Sequence, residues 1–251
     1  MIILRVYAAM LVLMLSNSSV MAQGIAPTNY PLPVYAAPHI TEAISIDGRI
    51  SEAAWSNAPV IQLRHTGTTE LPDKPTTVRC LWDDQYLYVA FHTEDTDIWA
   101  TMKTPETELW NEEVVEVFID ADSDERGYAE LQVNPLGVPV DLWILHDTER
   151  EYHQGLMEYD CKGFQYAVSV AGTVDNRQDT DEYWETELAI PFADLVTAPN
   201  IPPKPGDTWR INFYRLERPA DPEDLIPLAW SPCFAWNHTP KRFGTIVFVR
   251  D

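Results

Sequence analysis

The sequence predicts an all-β fold, an antiparallel β-sandwich, on three observations. Short runs rich in Val, Ile, Tyr, Phe and Trp recur from Ile40 onward, residues such as Asp, Gly, Pro and Asn bound those runs, and helical periods of apolar residues are scarce. No internal repeat and no second linker divides the stretch from Ile40 to Asp251, so a single domain over 40–251 is the economical expectation.

Strands are expected at Thr77–Asp83, Tyr86–Glu94, Val114–Asp120, Tyr128–Val133, Val138–Leu145, Phe164–Val170, Trp184–Ile190, Thr208–Leu216 and Thr245–Val249. A helical turn over Ser51–Trp55, opened by Ser51 as its cap, is the clearest exception. In the hairpin that turns at Asp83-Asp84-Gln85, alternation puts Leu87 and Val89 on one face and Tyr86 and Tyr88 on the other, both apolar enough to be covered. In Val114–Asp120, Glu116 shares a face with Val114 and Phe118, and an acid placed there needs a reason.

The N-terminus has the layout of a secretory signal peptide over residues 1–22. Arg5 precedes an apolar run from Val6 to Leu15, a polar stretch Ser16–Ser19 follows, and Val20 and Ala22 suit cleavage after Ala22. That run is too short to span a bilayer of ~30 Å as a helix, and no later segment is apolar enough, so no membrane span is expected. An uncleaved N-terminal anchor is the rival reading. Residues 23–39, with Pro27, Pro31, Pro33 and Pro38, read as an extended, proline-rich leading segment. The expected location is secreted, periplasmic or cell-surface.

A formal net charge of -22 repels phosphate backbones and anionic membranes, so nucleic acid and lipid are poor partners, while a neutral sugar is unaffected. Cys80, Cys161 and Cys233 are too few for a disulfide framework; a Cys161–Cys233 bridge stays open, and Cys80 is expected to be buried.

Four stretches in order carry a family resemblance: Ile46-Asp47-Gly48-Arg49-Ile50-Ser51-Glu52-Ala53-Ala54-Trp55, Leu81-Trp82-Asp83-Asp84-Gln85-Tyr86-Leu87-Tyr88-Val89, Glu116-Val117-Phe118-Ile119-Asp120 and Phe243-Gly244-Thr245-Ile246. Gln132-Val133-Asn134 and the run Trp184–Pro191 lie between them. Over roughly residues 44–249 the chain resembles the family 9 carbohydrate-binding modules. That resemblance implies an antiparallel β-sandwich related to the DOMON-type domains, holding a sugar ring between two tryptophans.

The tryptophans map onto Trp110 and Trp236, both in loop-like contexts, and the polar edge of the site maps onto Glu116, Gln132 and Asn134. A pyranose presents C–H faces that stack on indole and hydroxyls that need directed polar partners. One departure concerns Gln132, which stands where the family's sugar binders carry an arginine. The loop before Phe243 is also one residue longer, which leaves Trp230 or Phe234 as alternative second rings. Structural alternatives stand beside these roles: Glu116 pairing with Arg215, Asn134 forming a turn before Pro135 and Gly137, and tryptophans such as Trp55, Trp82, Trp184 and Trp209 packing the core.

The remaining signals assign no catalytic residue and no metal ligand. Asp120-Ala121-Asp122-Ser123-Asp124 resembles an oxygen-rich calcium loop, yet Leu131 holds the twelfth position, where an EF-hand needs Glu. A solvated acidic turn is favoured, and a structural calcium is compatible with the resemblance. Glycoside hydrolysis needs two carboxyls set across a bond, and Glu112, Glu116, Glu185 and Glu187 offer no marked pair; Glu185 and Glu187 read as one exposed strand face. His39, His65, His92, His146, His153 and His238 show no ligand spacing. The expected function is a secreted, non-catalytic module that binds a poly- or oligosaccharide for polysaccharide capture or catabolism. The alternatives are an accessory component of a glycoside hydrolase and, further off, a haem-binding electron-transfer domain with Met102, Met157 or His146 as axial ligands.

Overall fold

In the computed structural model, residues 30–150, 152–219, 224–234 and 236–250 are described, and the expected signal peptide at 1–22 lies outside them. The strands, in chain order, are β1 (Val34–Pro38), β2 (Ile61–Gln62), β3 (Arg64–His65), β4 (Thr76–Trp82), β5 (Tyr86–Glu94), β6 (Val114–Asp120) and β7 (Gly127–Val133). They continue as β8 (Pro139–Asp147), β9 (Tyr152–Leu156), β10 (Gln165–Ala171), β11 (Tyr183–Pro191), β12 (Thr208–Glu217), β13 (Ile226–Ala229) and β14 (Gly244–Val249).

Two sheets face each other. The larger runs β1-β14-β12-β6-β7-β8-β9, with β13 beside the second half of β12 and β3 beside β13; the smaller runs β10-β11-β5-β4-β2. All strand pairs are antiparallel except β1 with β14. Period-2 alternation sends Val115, Val117 and Ile119 of β6 inward to meet Leu87, Val89 and Phe91 of β5, and Trp82, Trp184 and Trp209 join the same core.

Both sheets also cover part of their outer faces. On the smaller one, Leu81, Tyr88 and Ala90 pack against Trp55 and Ile44. On the larger one, Val114, Phe118, Tyr128, Val140, Leu142, Ile144 and Tyr214 form a second apolar layer. That layer underlies the site.

Four local expectations change. Val34–Pro38, inside the segment read as a leading arm, is strand β1, because Tyr35 and Ala37 become buried once it adds to β14. The helical turn is a 3₁₀ helix at Ala53–Asn57 with Glu52 at its N-cap; no side chain caps it, and Glu52 instead takes the Ser45 N–H at 3.2 Å. The short strands β2, β3, β9 and β13 escape the sequence pattern because runs of two to five residues leave too few alternations to read. Glu187 is buried rather than exposed, since the 46–55 segment lies over it: Trp55 Nε1 donates to it at 2.9 Å, and the amides of Asp47 and Gly48 at 3.1 and 3.0 Å.

The three cysteines are free and buried. Cys161 belongs to the inter-sheet core and Cys233 to the outer layer of the larger sheet, so the open pairing between them does not form. Among the described residues no helix is long and apolar enough to cross a membrane.

Candidate functional site

A pocket of about 470 Å³ opens over the outer face of the larger sheet. Its floor comes from neighbouring strands whose register sets one face upward: Phe118 of β6 stands opposite Glu130 of β7, Glu130 opposite Leu142 of β8, and Glu116 opposite Gln132. Its walls carry Trp110, Arg218, Leu225, His153, Trp236 and His238.

Of the predicted site residues, the structure brings Trp110, Glu116 and Trp236 to this pocket. Trp110 sits in a single 3₁₀ turn, Leu109–Asn111, whose Leu109 is buried in the outer apolar layer, and its carbonyl accepts from Arg218 at 3.0 Å. Trp236 is 61% exposed. Its loop is held by Tyr214 Oη donating to the Asn237 carbonyl at 2.8 Å and by Thr239 Oγ1 donating to the Trp236 carbonyl at 2.6 Å. The alternative rings do not compete: Trp230 packs in the inter-sheet core, and Phe234 is buried against Tyr30 under the Arg242 guanidinium.

Gln132 and Asn134 do not line the pocket. Gln132 is fully buried and donates its Nε2 to Glu130 Oε1. Asn134 closes the β7–β8 turn, taking the amides of Leu136 and Val138 at 3.1 and 2.9 Å and donating to the Met102 carbonyl at 2.9 Å. Glu116 does not meet Arg215, because the β6–β12 register sets Arg215 beside Val115 and thus on the opposite face. Arg215 is buried there with Asp95, at 2.6 Å, and Glu217.

The chemistry of the floor is that of buried acids. Glu116 is 2% exposed and Glu130 3%, and an oxygen of each has no hydrogen-bond partner among the described residues. Burial, reinforced by the neighbouring Glu130, holds Glu116 well above the usual carboxylate range. Burial likewise pushes Glu130 up to about 8 against the opposing Gln132 hydrogen bond. Glu130 Oε2 lies 3.9 Å from His238 Nε2, and burial, with His153 and His146 nearby, lowers His238 to about 3. The His238 ring shares a 2.8 Å hydrogen bond with the Tyr128 hydroxyl and stacks on His153 at 3.8 Å; His153 in turn stacks on Trp236 at 6.2 Å.

Sequence reasoning missed Glu130, His153 and His238. The first had a signal: in Tyr128-Ala129-Glu130-Leu131-Gln132, period 2 puts Glu130 on the face assigned to Gln132. The histidines come from β9 and from a loop, brought in by tertiary packing alone.

The other candidate groups fall apart in space. Glu112 ties down a loop through the amides of Thr101 and Met102 at 2.7 and 3.0 Å, and Glu185 meets His92 at 3.0 Å on the smaller sheet. Asp120, Asp122 and Asp124 bring one oxygen each within 4.8 Å of the others, and burial with the two neighbouring acids raises Asp120 to about 7. Met102 and Met157 pack on the outer apolar layer, while His146 Nδ1 meets the Glu125 carbonyl at 2.8 Å.

Residues 46–141 match the family described as "Carbohydrate family 9 binding domain-like". Endo-1,4-beta-xylanase A of Thermotoga maritima is 34% identical over 86 residues, which is 34% of this chain and 8% of that protein. Among solved structures, a candidate carbohydrate-binding protein from Bacteroides uniformis superposes with a TM-score of 0.66 at 17% identity, over 87% of this chain and 100% of that one. Two structures of a family 9 carbohydrate-binding module from Caldicellulosiruptor kristjanssonii also superpose over 87% of this chain. The cellotriose complex gives a TM-score of 0.57 at 17% identity over 94% of its chain, and the glucose complex 0.55 at 16% over 96%. Identities this low speak for the fold.

Proposed function

We propose, for a chain recognised over residues 46–141 as carbohydrate family 9 binding domain-like, that the pocket on the larger sheet holds a saccharide. The single observation that carries this is the meeting of Trp110, Trp236 and Glu116 around one cavity, although they come from three separated segments. The two indoles offer apolar faces to the C–H faces of a sugar, and the carboxyls of Glu116 and Glu130 accept from its hydroxyls. Gln132 positions Glu130, and Asn134 shapes the turn that ends β7.

The signal-peptide layout supports export, and the match to a stretch of a xylanase supports a place in polysaccharide capture or catabolism, as a module beside glycoside hydrolases. Calorimetric titration of the exported protein with mono- and oligosaccharides tests the site: saturable binding that weakens in Trp110→Ala and Trp236→Ala is expected. Absence of binding across a glycan array overturns the proposal. N-terminal sequencing of the exported chain tests processing, with a start near Gln23 expected.

A further inference from the structure

Building on the saccharide reading of this pocket, we propose that its preferred ligand is an amino sugar with a free, protonated amine, selected over neutral, N-acetylated and acidic sugars. Glu116 and Glu130 stand on neighbouring strands with their side chains on the same face, Glu116 opposite Gln132 and Glu130 opposite Phe118, two register positions further along. Both are almost wholly buried, and each has an oxygen left without a partner. A lone buried carboxyl oxygen is costly to leave unsatisfied.

No cation of the chain answers them among the described residues. The position across the strand from Glu116 is a neutral amide, which donates to Glu130. Arg215 is turned to the opposite face, Arg210 is engaged with Glu125 at 2.7 Å, and Arg218 lines the wall with a hydrogen bond to the Trp110 carbonyl. Other titratable groups among the described residues on this face are Tyr128, Tyr214, Cys233, His153 and His238. Burial keeps both histidine rings disposed to stay neutral.

A hydroxyl brings one neutral donor to this floor. An ammonium brings three donors and a positive charge that favours ionisation of the acids, and it can bridge both carboxyls with charge-assisted hydrogen bonds. N-acetylation removes that charge. A uronate brings a negative charge to a buried acidic floor that already disfavours ionisation.

In the empty pocket, burial and mutual repulsion keep protons on the pair. Entry of an ammonium favours the ionised form, and each carboxyl that ionises releases one proton to solvent. Affinity for the amine therefore rises from about pH 5 to about pH 7, while affinity for a neutral sugar stays level or falls.

The experiment is calorimetry on the mature protein at about pH 6.5 and low salt, with glucosamine, galactosamine and mannosamine set against their neutral and N-acetyl counterparts and against glucuronate. At least one amine is expected to bind about tenfold tighter than its neutral counterpart. Glu130→Gln and Glu116→Gln are expected to bring that ratio close to one, with melting curves reporting whether each variant folds. If a variant fails to fold, the wild-type ranking and its pH dependence decide. Neutral or N-acetyl sugars that bind as tightly as the amines overturn this proposal and leave the saccharide site standing, as does a ratio that survives both substitutions. A panel in which nothing binds overturns the saccharide reading as well.

Discussion

Replacing Trp236 with alanine separates the site from the scaffold. The ring is 61% exposed and rests on one side against His153, so its loss uncovers little that the free protein had buried. A stability change under about 1 kcal/mol follows, as for surface substitutions away from the core. In the complex, a sugar face would cover roughly 60 Å² of the indole, worth ~1.5 kcal/mol at ~25 cal/mol per Å². Ring contact adds ~0.5 to 1.5 kcal/mol. The affinity of Trp236→Ala should therefore fall about 30- to 150-fold.

Trp55→Ala is the opposite perturbation. Trp55 is 2% exposed on the outer face of the smaller sheet, and its removal leaves a cavity and takes the indole donor from Glu187. A loss of ~3 to 5 kcal/mol is expected, with sugar affinity unchanged in the fraction that remains folded. Titration calorimetry and thermal melts on both variants decide. Wild-type affinity in Trp236→Ala, or a melting-temperature loss as large as that of Trp55→Ala, refutes the assignment of this ring to the ligand.

Stability should peak at mildly acidic pH. Glu130 is raised to about 8 and Asp120 and Glu187 to about 7, so the stability tied to their protonated forms is whole below about pH 4 and is lost as pH climbs through those values. His238, lowered to about 3, acts in the opposite sense and costs stability as pH falls below about 6.5. Melting temperature should thus decline from about pH 5.5 to pH 8, and Glu130→Gln should flatten the decline; a rise over that interval contradicts the burial of these carboxyls. Asn134→Ala removes two acceptor bonds and one donor bond from a buried turn and should cost ~2 to 3 kcal/mol in denaturant melts. It should change sugar affinity less than twofold; a large affinity loss without destabilisation would return Asn134 to the site. Gly48 has φ +82, and a Cβ there would come 2.6 Å from the backbone of Val168, so Gly48→Ala should destabilise by at least about 2 kcal/mol in the same assay.

The scaffold was legible where a strand is long enough to declare its period. β5 and β6 match their expected limits residue for residue, and the inward set Val115, Val117 and Ile119 follows from alternation alone. What the period cannot show is which sheet a strand joins or what lies over its outer face. Glu185 and Glu187 illustrate the limit, since alternation put both on one face but could not foresee the 46–55 segment packed over Glu187. For the candidate site, a resemblance marked residues on loops and strands, and three of them line one pocket. Gln132 and Asn134 show the cost of marking by position: both lie near the site in sequence register, while their hydrogen bonds point to Glu130 and to a turn.

The outer layer of the larger sheet shows what sets this pocket apart. Phe118, Tyr128, Leu142, Ile144 and Tyr214 would cover that face as an ordinary apolar layer, and an apolar residue at 116 or 130 would complete it. Two buried acids in those places do the reverse. They withdraw carboxyls from water, crowd them together and leave oxygens without donors, all of which works against folding. The surrounding network does not relieve them, since Gln132 supplies one bond to Glu130 and His238 stands 3.9 Å away. A frustrated polar pair at the floor of an open pocket, rimmed by an exposed tryptophan that has little to pack against, is stabilised most simply by something that enters from solvent with donors for the acids and a face for the ring.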